Sequence, residues 1–254
     1  MKYLLVFLVS ISIFSCKEEV KEKMQSKNLT AQEIIDKAIE TSCHGKCDDA
    51  VIEFTFRDTF YRSSRNGGFY KFERLRQDSI DQIHDVVSNK GLTRFVNKEQ
   101  VTVPDSIAKG ISDGVNSVHY FAQLPYGLNA AAVNKKLIGE DEIKGKNYYE
   151  IEVTFSEEGG GTDFDDSFLY WINKETFTLD YLAYKYATNG GGARFREAYN
   201  TRVVEGIRFV DYNNYKPENK EIELSELDQL FTEEKLKLVS KIETENVKVI
   251  LPKD

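Results

Sequence analysis

The feature that most constrains the fold of this chain is a series of short segments in which apolar and polar residues alternate. In the first of them Ile52, Phe54 and Phe56 alternate with polar residues, and segment 149–155 repeats the pattern. A period of two places alternate side chains on opposite faces of a strand, with one face buried. Short turns rather than long helical crossovers join successive segments, so the sequence predicts antiparallel pairing.

Turn signals rich in Gly, Asn and Glu separate these segments, and segment 63–68 is predicted as the first turn. A helical turn is predicted at 232–238. The sequence therefore predicts a mainly β (α+β) fold, in which a strongly curved antiparallel sheet or half-open barrel is covered by one or two helices. The predicted strands cover about 52–62, 69–76, 79–87, 92–103, 149–155, 166–173, 179–186, 194–204, 207–215, 220–227 and 245–251.

Two helices are predicted to cover this sheet. Thr30 and Glu33 form a capping-box pattern at the start of a helix over about 30–42, and apolar residues recur every three or four positions over about 105–122. His119 lies near the end of the second helix, where a cation complements the helix dipole, and we favour this role over a catalytic one. No composition break follows residue 29, so residues 30–254 are predicted to form a single domain.

The N-terminus has the pattern of a lipoprotein signal peptide. Lys2 precedes an apolar run that is too short to cross a bilayer. The string Ile13-Phe14-Ser15-Cys16 resembles a bacterial lipobox, so we expect residues 1–15 to be removed and Cys16 to carry palmitate or other acyl chains. Ordinary secretory cleavage after Ser15 is the alternative. Residues 16–29 would then be the lipidated cysteine and a polar tether, within which Lys17-Glu18-Glu19 is either a surface-export signal or a solvated charged segment.

Two or more acyl chains hold a domain at a membrane without a spanning helix, so we expect a lipid-anchored outer-membrane protein, on the periplasmic face or the cell surface. The formal net charge of -8 disfavours binding to a phosphate backbone, and nucleic acid is not an expected partner. The sequence has no GxSxG, HExxH or kinase motif, and neither glycine-rich loop has the lysine of a P-loop. We therefore predict no catalytic residue and no cofactor.

Cys43 and Cys47 remain in the mature chain, within the string Cys-His-Gly-Lys-Cys. Outside the inner membrane the compartment is oxidising, which favours a local disulfide between them. The two thiolates and His44 would also serve a metal, but a fourth ligand would have to come from elsewhere in the chain. A pair of free thiols is the remaining alternative.

Two glycine-rich loops carry the candidate binding residues, which we call the predicted rim. The connecting strands at 166–173 and 178–187 place both loops at the same end of the sheet. The guanidinium of arginine can donate two parallel hydrogen bonds to a polar headgroup or a sugar, and glycine lets such a ligand come close to the backbone. The alternatives are flexible turns with surface ion pairs, or calcium on the aspartates, for which the calcium-loop spacing is missing; we predict no metal site. The predicted rim consists of Asp163, Asp165, Asp166, Arg194, Arg196 and Glu197.

Four strings in this chain carry a resemblance to a known family: VNSVHYF at 115–121, LPYGLN at 124–129, EGGGTDF at 158–164 and GGGARFREAY at 190–199. They are similar to an uncharacterised family of lipoproteins from Bacteroidota, for which no activity is established. The order of elements also resembles the lipoprotein-carrier superfamily typified by LolA and LolB. That resemblance implies a half-open barrel closed by helices over an apolar cavity.

These observations predict a membrane-anchored lipoprotein that binds a lipid-like or amphiphilic ligand in a cleft of the sheet, without catalysis. The abundant tyrosines would line that cleft or fill the core, and core filling is favoured. A surface module that docks another envelope protein is the first alternative. An envelope hydrolase is the second, and it would need paired carboxylates or a histidine-paired nucleophile in a cleft. The sequence does not predict the oligomeric state.

Overall fold

The computed structural model describes residues 29–158, 166–187 and 190–252. Over these ranges the chain forms two seven-stranded antiparallel sheets and three α-helices. Cys16, the signal peptide and nearly all of the tether lie outside the described residues, as do Asp163 and Asp165. No helix in the described part of the chain is long and apolar enough to cross a bilayer.

The first sheet is a meander that the last strand of the chain extends at one edge. Its strands are β1 (Val51–Phe56), β2 (Thr59–Asn66), β3 (Phe69–Asp78), β4 (Asp81–Ser88), β5 (Gly91–Val96), β6 (Glu99–Val101) and β14 (Glu245–Ile250). The order is β14-β1-β2-β3-β4-β5-β6, so β14 pairs with a strand almost 200 residues earlier in the sequence.

The second sheet contains the central strands of the sequence, in consecutive order from β13 to β7. Each strand pairs with the one before it, as expected for strands joined by short turns. Its strands are β7 (Val133–Ile143), β8 (Lys146–Phe155), β9 (Ser167–Asn173), β10 (Leu179–Tyr186), β11 (Gly192–Val204), β12 (Ile207–Lys216) and β13 (Lys237–Ile242).

The helices are α1 (Ala31–Cys43), α2 (Asp105–Ala122) and α3 (Leu227–Thr232). The predicted capping box forms at α1, where the Glu33 backbone N–H donates to Thr30 Oγ1 and the Thr30 backbone N–H donates to Glu33 Oε2. The first two helices lie where the sequence predicts them, because their apolar spacing and end signals are local.

Strand β9 shows where the main core lies. Four consecutive residues, Leu169 to Ile172, are almost fully buried, because both faces of the second sheet are covered. Tyr170 and Ile172 pack in the cluster that contains α1, whereas Leu169 and Trp171 pack in the cluster that contains α3. A strand covered on both faces is continuously apolar rather than alternating, as this one is.

Five predicted segments were wrong. The predicted strand 92–103 is a hairpin of β5 and β6, because the chain turns at Asn97 and Lys98, both with positive φ. The chain turns at Arg57 and Asp58, both with positive φ, so the predicted strand 52–62 is a hairpin of β1 and β2, and the predicted turn at 63–68 begins inside β2. Strand β7 was not predicted at all. Segment 220–227 was predicted as a strand, but it leads through a 3-10 turn into α3. Of the predicted helical turn at 232–238 only Thr232 is helical, and its end belongs to β13, which was also not predicted.

The predicted mainly β, antiparallel fold with helical cover is confirmed, but two sheets take the place of the single curved sheet. The chain passes between them at Glu243 and Thr244, because β13 pairs with β12 whereas β14 pairs with β1. Such long-range strand pairing depends on which apolar faces meet in three dimensions, so no local sequence pattern predicts it.

Candidate functional site

Arg194 and Arg196 of the predicted rim share one face of β11. The register pairs Tyr184 with Arg194 and Leu182 with Arg196, so the arginines lie on the same face of the sheet as Leu182 and Tyr184. Leu182 belongs to the core cluster that includes residues of α1, and Tyr184 packs against it. Both arginines therefore extend the apolar face of the second sheet that α1 covers.

Arg196 is held between aromatic rings. Its guanidinium carbon lies 4.9 Å from the centroid of the Tyr184 ring and 5.5 Å from that of Phe121, which is on α2. Its Nη2 donates to Tyr184 Oη at 2.9 Å, whereas its Nε is buried without a hydrogen-bond partner. Over the described residues no carboxylate lies within ion-pair distance of Arg196, so this half-buried cation is satisfied mainly by ring faces.

The rings around Arg196 form a connected half-buried surface, which we call the aromatic face. Successive ring centroids lie 5.2 to 5.6 Å apart in the pairs Phe56–Phe121, Phe168–Tyr184 and Phe155–Phe168. Each of these side chains keeps some contact with solvent. The layer beneath is closed, because Tyr170 and Leu128 have no exposed surface. The aromatic face consists of Phe56, Phe121, Phe155, Phe168 and Tyr184.

Arg194 lies at the end of this face, beside the glycine-rich loop. Its guanidinium carbon is 5.1 Å from the centroid of the Tyr186 ring, and its Nη1 donates to the Ala193 carbonyl at 2.8 Å. Tyr186 in turn lies 6.0 Å from Tyr184, which links Arg194 to the aromatic face. A cavity of about 220 Å³ opens here, with Arg194 and Tyr186 in its wall.

Glu197 of the predicted rim is not brought together with the arginines. Glu197 lies on the opposite face of β11, where its carboxylate pairs with Lys144 Nζ at 3.0 Å and accepts hydrogen bonds from Asn213 and Tyr215. Asp166 immediately precedes β9, and Asp163 and Asp165 lie outside the described residues. Strand alternation alone separates Glu197 from Arg196, a signal present in the sequence.

Cys43 and Cys47 lie together at the end of α1. Their Sγ atoms lie 2.14 Å apart, and the two residues are 4% and 3% exposed. They pack with Ala50, Ile52 and Phe209 in the core beside the first sheet. We propose that these two cysteines form a disulfide in the oxidising compartment outside the inner membrane.

His119 is buried rather than a charged helix cap. Its Nε2 donates to the Glu73 carbonyl at 3.2 Å, and its ring stacks on Phe72 with centroids 4.8 Å apart. Burial, together with the charge of Arg65, lowers the pKa of His119 to about 4, against the raising effect of the Glu73 hydrogen bond. The imidazole is thus neutral at pH 7, and the predicted cationic role is wrong.

Two carboxyls on the other face of the second sheet also have shifted pKa values. Burial, Asp141 and Asp228 raise the pKa of Glu150 to about 7, and burial with a hydrogen bond to Asp141 raises that of Asp228 to about 7. Within the described ranges no group of three His, Cys, Asp or Glu side chains is arranged to hold a metal. These carboxyls lie near the start of α3, on the face of the second sheet opposite the aromatic face.

A larger and more open pocket of about 490 Å³ lies at one end of the first sheet. Arg65 lies in its wall; the Nη1 of this arginine donates to Gln123 Oε1 at 2.5 Å, and burial lowers its pKa. No local sequence pattern predicts this pocket, because its walls come from β1, β2, β3 and the segment after β14. Neither pocket is lined by a residue of α2, which was expected to cover the cleft.

A family model matches residues 2–244, nearly the whole chain, and its description is "Family of unknown function (DUF6503)". The chain belongs to the DUF6503 family. The predicted membership of an uncharacterised family is thereby confirmed, and the Bacteroidota origin stays a prediction. A search of curated protein sequences found no match to this DUF6503 member.

Solved structures similar to this DUF6503 protein share little sequence with it. A LolA superfamily protein from Nitrosomonas europaea matches with a TM-score of 0.47 and 13% identity, over 89% of this chain and 94% of that one. A DUF1329 family protein from Desulfovibrio piger matches with a TM-score of 0.42 and 13% identity, over 86% and 92%. A Vibrio parahaemolyticus domain assigned to outer membrane lipoprotein sorting matches with 0.42 and 6% identity, over 80% and 99%.

Proposed function

We propose that this protein is an outer-membrane lipoprotein, anchored through Cys16, that binds a lipid-like amphiphile on the aromatic face without catalysis. The observation that carries the proposal is Arg196, a cation held among half-buried rings with a buried Nε that has no partner. Leaving such a donor unsatisfied costs about 1–3 kcal/mol, which a bound acceptor would recover.

The aromatic face offers the apolar part of this site. Its rings are partly exposed, and covering them with an acyl or other apolar chain removes further apolar surface from water, at about 25 cal/mol per Å². Because the layer beneath the rings is closed, the ligand would lie on the face between α2 and the second sheet rather than inside an enclosed cavity. This differs from the enclosed apolar cleft that the sequence suggested.

Anchoring through Cys16 is compatible with the binding of an amphiphile on the aromatic face. A tether after Cys16 would keep the domain within reach of the membrane, where amphiphiles are concentrated. The export of the lipidated protein and its membrane face remain predictions from residues 1–29.

Binding is tested with the protein that lacks residues 1–16. Native mass spectrometry after expression, followed by titration with decyl β-glucoside below its micelle concentration, should detect one bound amphiphile. Phe168→Ala should weaken binding about tenfold, because it removes part of the apolar contact surface. Phe69→Ala, which changes a ring that is 75% exposed on the first sheet, is the matched control and should leave binding unchanged.

Two results would reject the proposed function. One is the absence of any bound or titratable amphiphile from a folded protein. The other is equal weakening of binding by Phe168→Ala and Phe69→Ala, which would indicate nonspecific adsorption. A thermal unfolding curve for each variant separates lost binding from lost folding.

A further inference from the structure

The small cavity beside Arg194 has an unusual balance of charge. Its wall contains three cations, Arg194, Lys216 and Lys220, and one carboxylate, Glu218. Within the described ranges none of the three cations has a carboxylate within 4.0 Å. The chain as a whole is acidic, with a net charge of -8, so this cationic cavity is a local exception.

The strand register explains why these charges converge. Arg196 pairs with Asn214, so Lys216, two residues further along β12, lies on the same face of the sheet as Arg194. Tyr186 is at the end of β10 on that same face, opposite Gly192. Lys220 follows Pro217 in the segment after β12 and completes the wall.

Glycine gives the cavity its shape. Gly191 and Gly192 line it, and because they have no side chains, they line it with main-chain atoms. Gly191 has φ of +67°, which favours glycine, and a Cβ on Gly192 would lie 2.9 Å from Tyr186 Oη. Side chains at these positions would strain the loop or displace the tyrosine, so the open wall depends on both glycines.

The size of the cavity limits what can enter it. At about 220 Å³ it is smaller than the roughly 300–1,000 Å³ typical of sites that enclose a whole drug-sized ligand. It suits a compact anionic group instead. The arginine guanidinium, the two lysine ammonium groups and the main-chain atoms of the wall together suit the binding of phosphate oxygens.

We infer that this cavity binds a phosphate monoester, as the headgroup of the amphiphile whose apolar part covers the aromatic face. The inference rests on the proposed function and specifies the chemical class of its ligand. The contact between Tyr184 and Tyr186 joins the two parts of the site, so one molecule can occupy both. Arg194 would bind the phosphate, and Arg196 would lie between headgroup and tail.

The test compares three probes on the protein without residues 1–16: decyl phosphate, decyl β-glucoside and inorganic phosphate. The two amphiphiles share a tail and differ in headgroup charge. Calorimetry at low salt should show decyl phosphate binding about tenfold more tightly than decyl glucoside. Inorganic phosphate alone should bind more weakly than decyl phosphate and compete with it.

The decisive variant is Lys216→Gln/Lys220→Gln. It should remove the tenfold preference for decyl phosphate and leave the affinity for decyl glucoside unchanged. Both lysines are exposed, so folding should be retained. The matched control, Lys90→Gln/Lys98→Gln, removes the same charge from two exposed positions in turns of the first sheet and should preserve the preference.

The outcomes separate this inference from the proposed function. Equal affinity for both amphiphiles, or equal loss in the control variant, would overturn the phosphate inference while the binding of amphiphiles stands. If only inorganic phosphate binds, and does so through Lys216 and Lys220, the cavity is a site for free phosphate and the proposed amphiphile function fails. If no probe binds, both are rejected.

Discussion

At the scale of single residues, Asp85 is a fully buried carboxylate in the first sheet. It has no exposed surface and lies between Arg74 and Arg94, each of which donates two hydrogen bonds to it. Burial alone would raise the pKa of Asp85, but the hydrogen bonds from Arg94 and Arg74 outweigh it and hold the pKa below its ordinary value. The network lies on the α2 side of the sheet, where Gly114 allows the close approach of Arg74.

We expect Asp85→Asn to lower the free energy of unfolding by about 3 kcal/mol at pH 7, because two arginines lose their buried counterion. Urea unfolding measures this difference. The control is Asp78→Asn, which breaks an exposed pair with Arg76 and should cost less than about 1 kcal/mol. Since the folded pKa of Asp85 is depressed, its contribution is present above about pH 4 and is lost as the pH falls through the folded pKa. Equal effects of the two substitutions would contradict this role.

His119 makes stability depend on pH over a higher range. The unfolded chain binds a proton at this histidine below about pH 6.5, whereas the folded protein binds one only below about pH 4. Stability from the neutral imidazole is therefore complete above pH 6.5 and falls as the pH drops toward 4. We expect a loss of about 2 kcal/mol between pH 7.5 and pH 5 that is absent from His119→Gln.

The measurement is the difference between wild type and His119→Gln in urea unfolding at the two pH values. A difference is needed because Glu150 and Asp228, with raised pKa values, oppose this trend by stabilising the folded state as the pH falls below 7. Parallel pH profiles of the two proteins would show that His119 is not the titrating group.

At the scale of elements, the junction between α1 and β1 depends on the proposed disulfide between Cys43 and Cys47. The residue after α1, His44, adopts a left-handed conformation and donates its backbone N–H to the Glu40 carbonyl, which turns the chain sharply. The proposed bridge, between residues four positions apart, would tie this turn to the core near Ala50. The covalent loop is short, so the entropy it removes from the unfolded chain is small.

We expect Cys43→Ser/Cys47→Ser to lower the free energy of unfolding by about 2 kcal/mol, and reductant to lower that of wild type by a similar amount. Chemical denaturation of the protein without residues 1–16, with and without reductant, measures both effects. Unfolded wild type without reductant should expose no thiol to a maleimide. Two reactive thiols in the protein purified from the oxidising compartment would reject the disulfide.

At the scale of the whole molecule, the two sheets meet around α2 and leave the aromatic face half-buried between them. Phe121 of α2 contacts Phe56 of the first sheet and Arg196 of the second, so one helical residue joins both. Such a face contributes to folding and still has surface left for a ligand. The lipid anchor would hold the whole domain near the source of that ligand.

Cys16 is predicted to anchor the protein to the outer membrane through its acyl chains. In cells, the full-length protein should fractionate with the outer membrane, and Cys16→Ser should release the domain into a soluble fraction or leave its precursor unprocessed, because the acyl chains provide the membrane affinity. Metabolic labelling with palmitate reports acylation directly. A Cys16→Ser protein that still fractionates with the outer membrane would reject lipid anchoring through this residue.

The sequence by itself determined the features that depend on neighbouring residues. The capping box of α1, the bounds of α2 and most strands of the second sheet follow from spacing and turn residues a few positions apart. It missed β7, where five of the eleven residues of a half-exposed strand are charged, and it predicted a strand at 220–227, where the chain leads into α3.

Only the tertiary structure decided which faces meet. Alternation in β11 already separates Glu197 from Arg196, but contact of Arg196 with Phe121, 75 residues earlier, depends on how α2 packs between the sheets. The cavity wall likewise joins β10, β11 and the segment after β12. Local patterns fix which side chains a strand presents to each face. Contacts between distant segments are fixed by the burial of whole faces against one another, because that burial supplies the free energy that orders them.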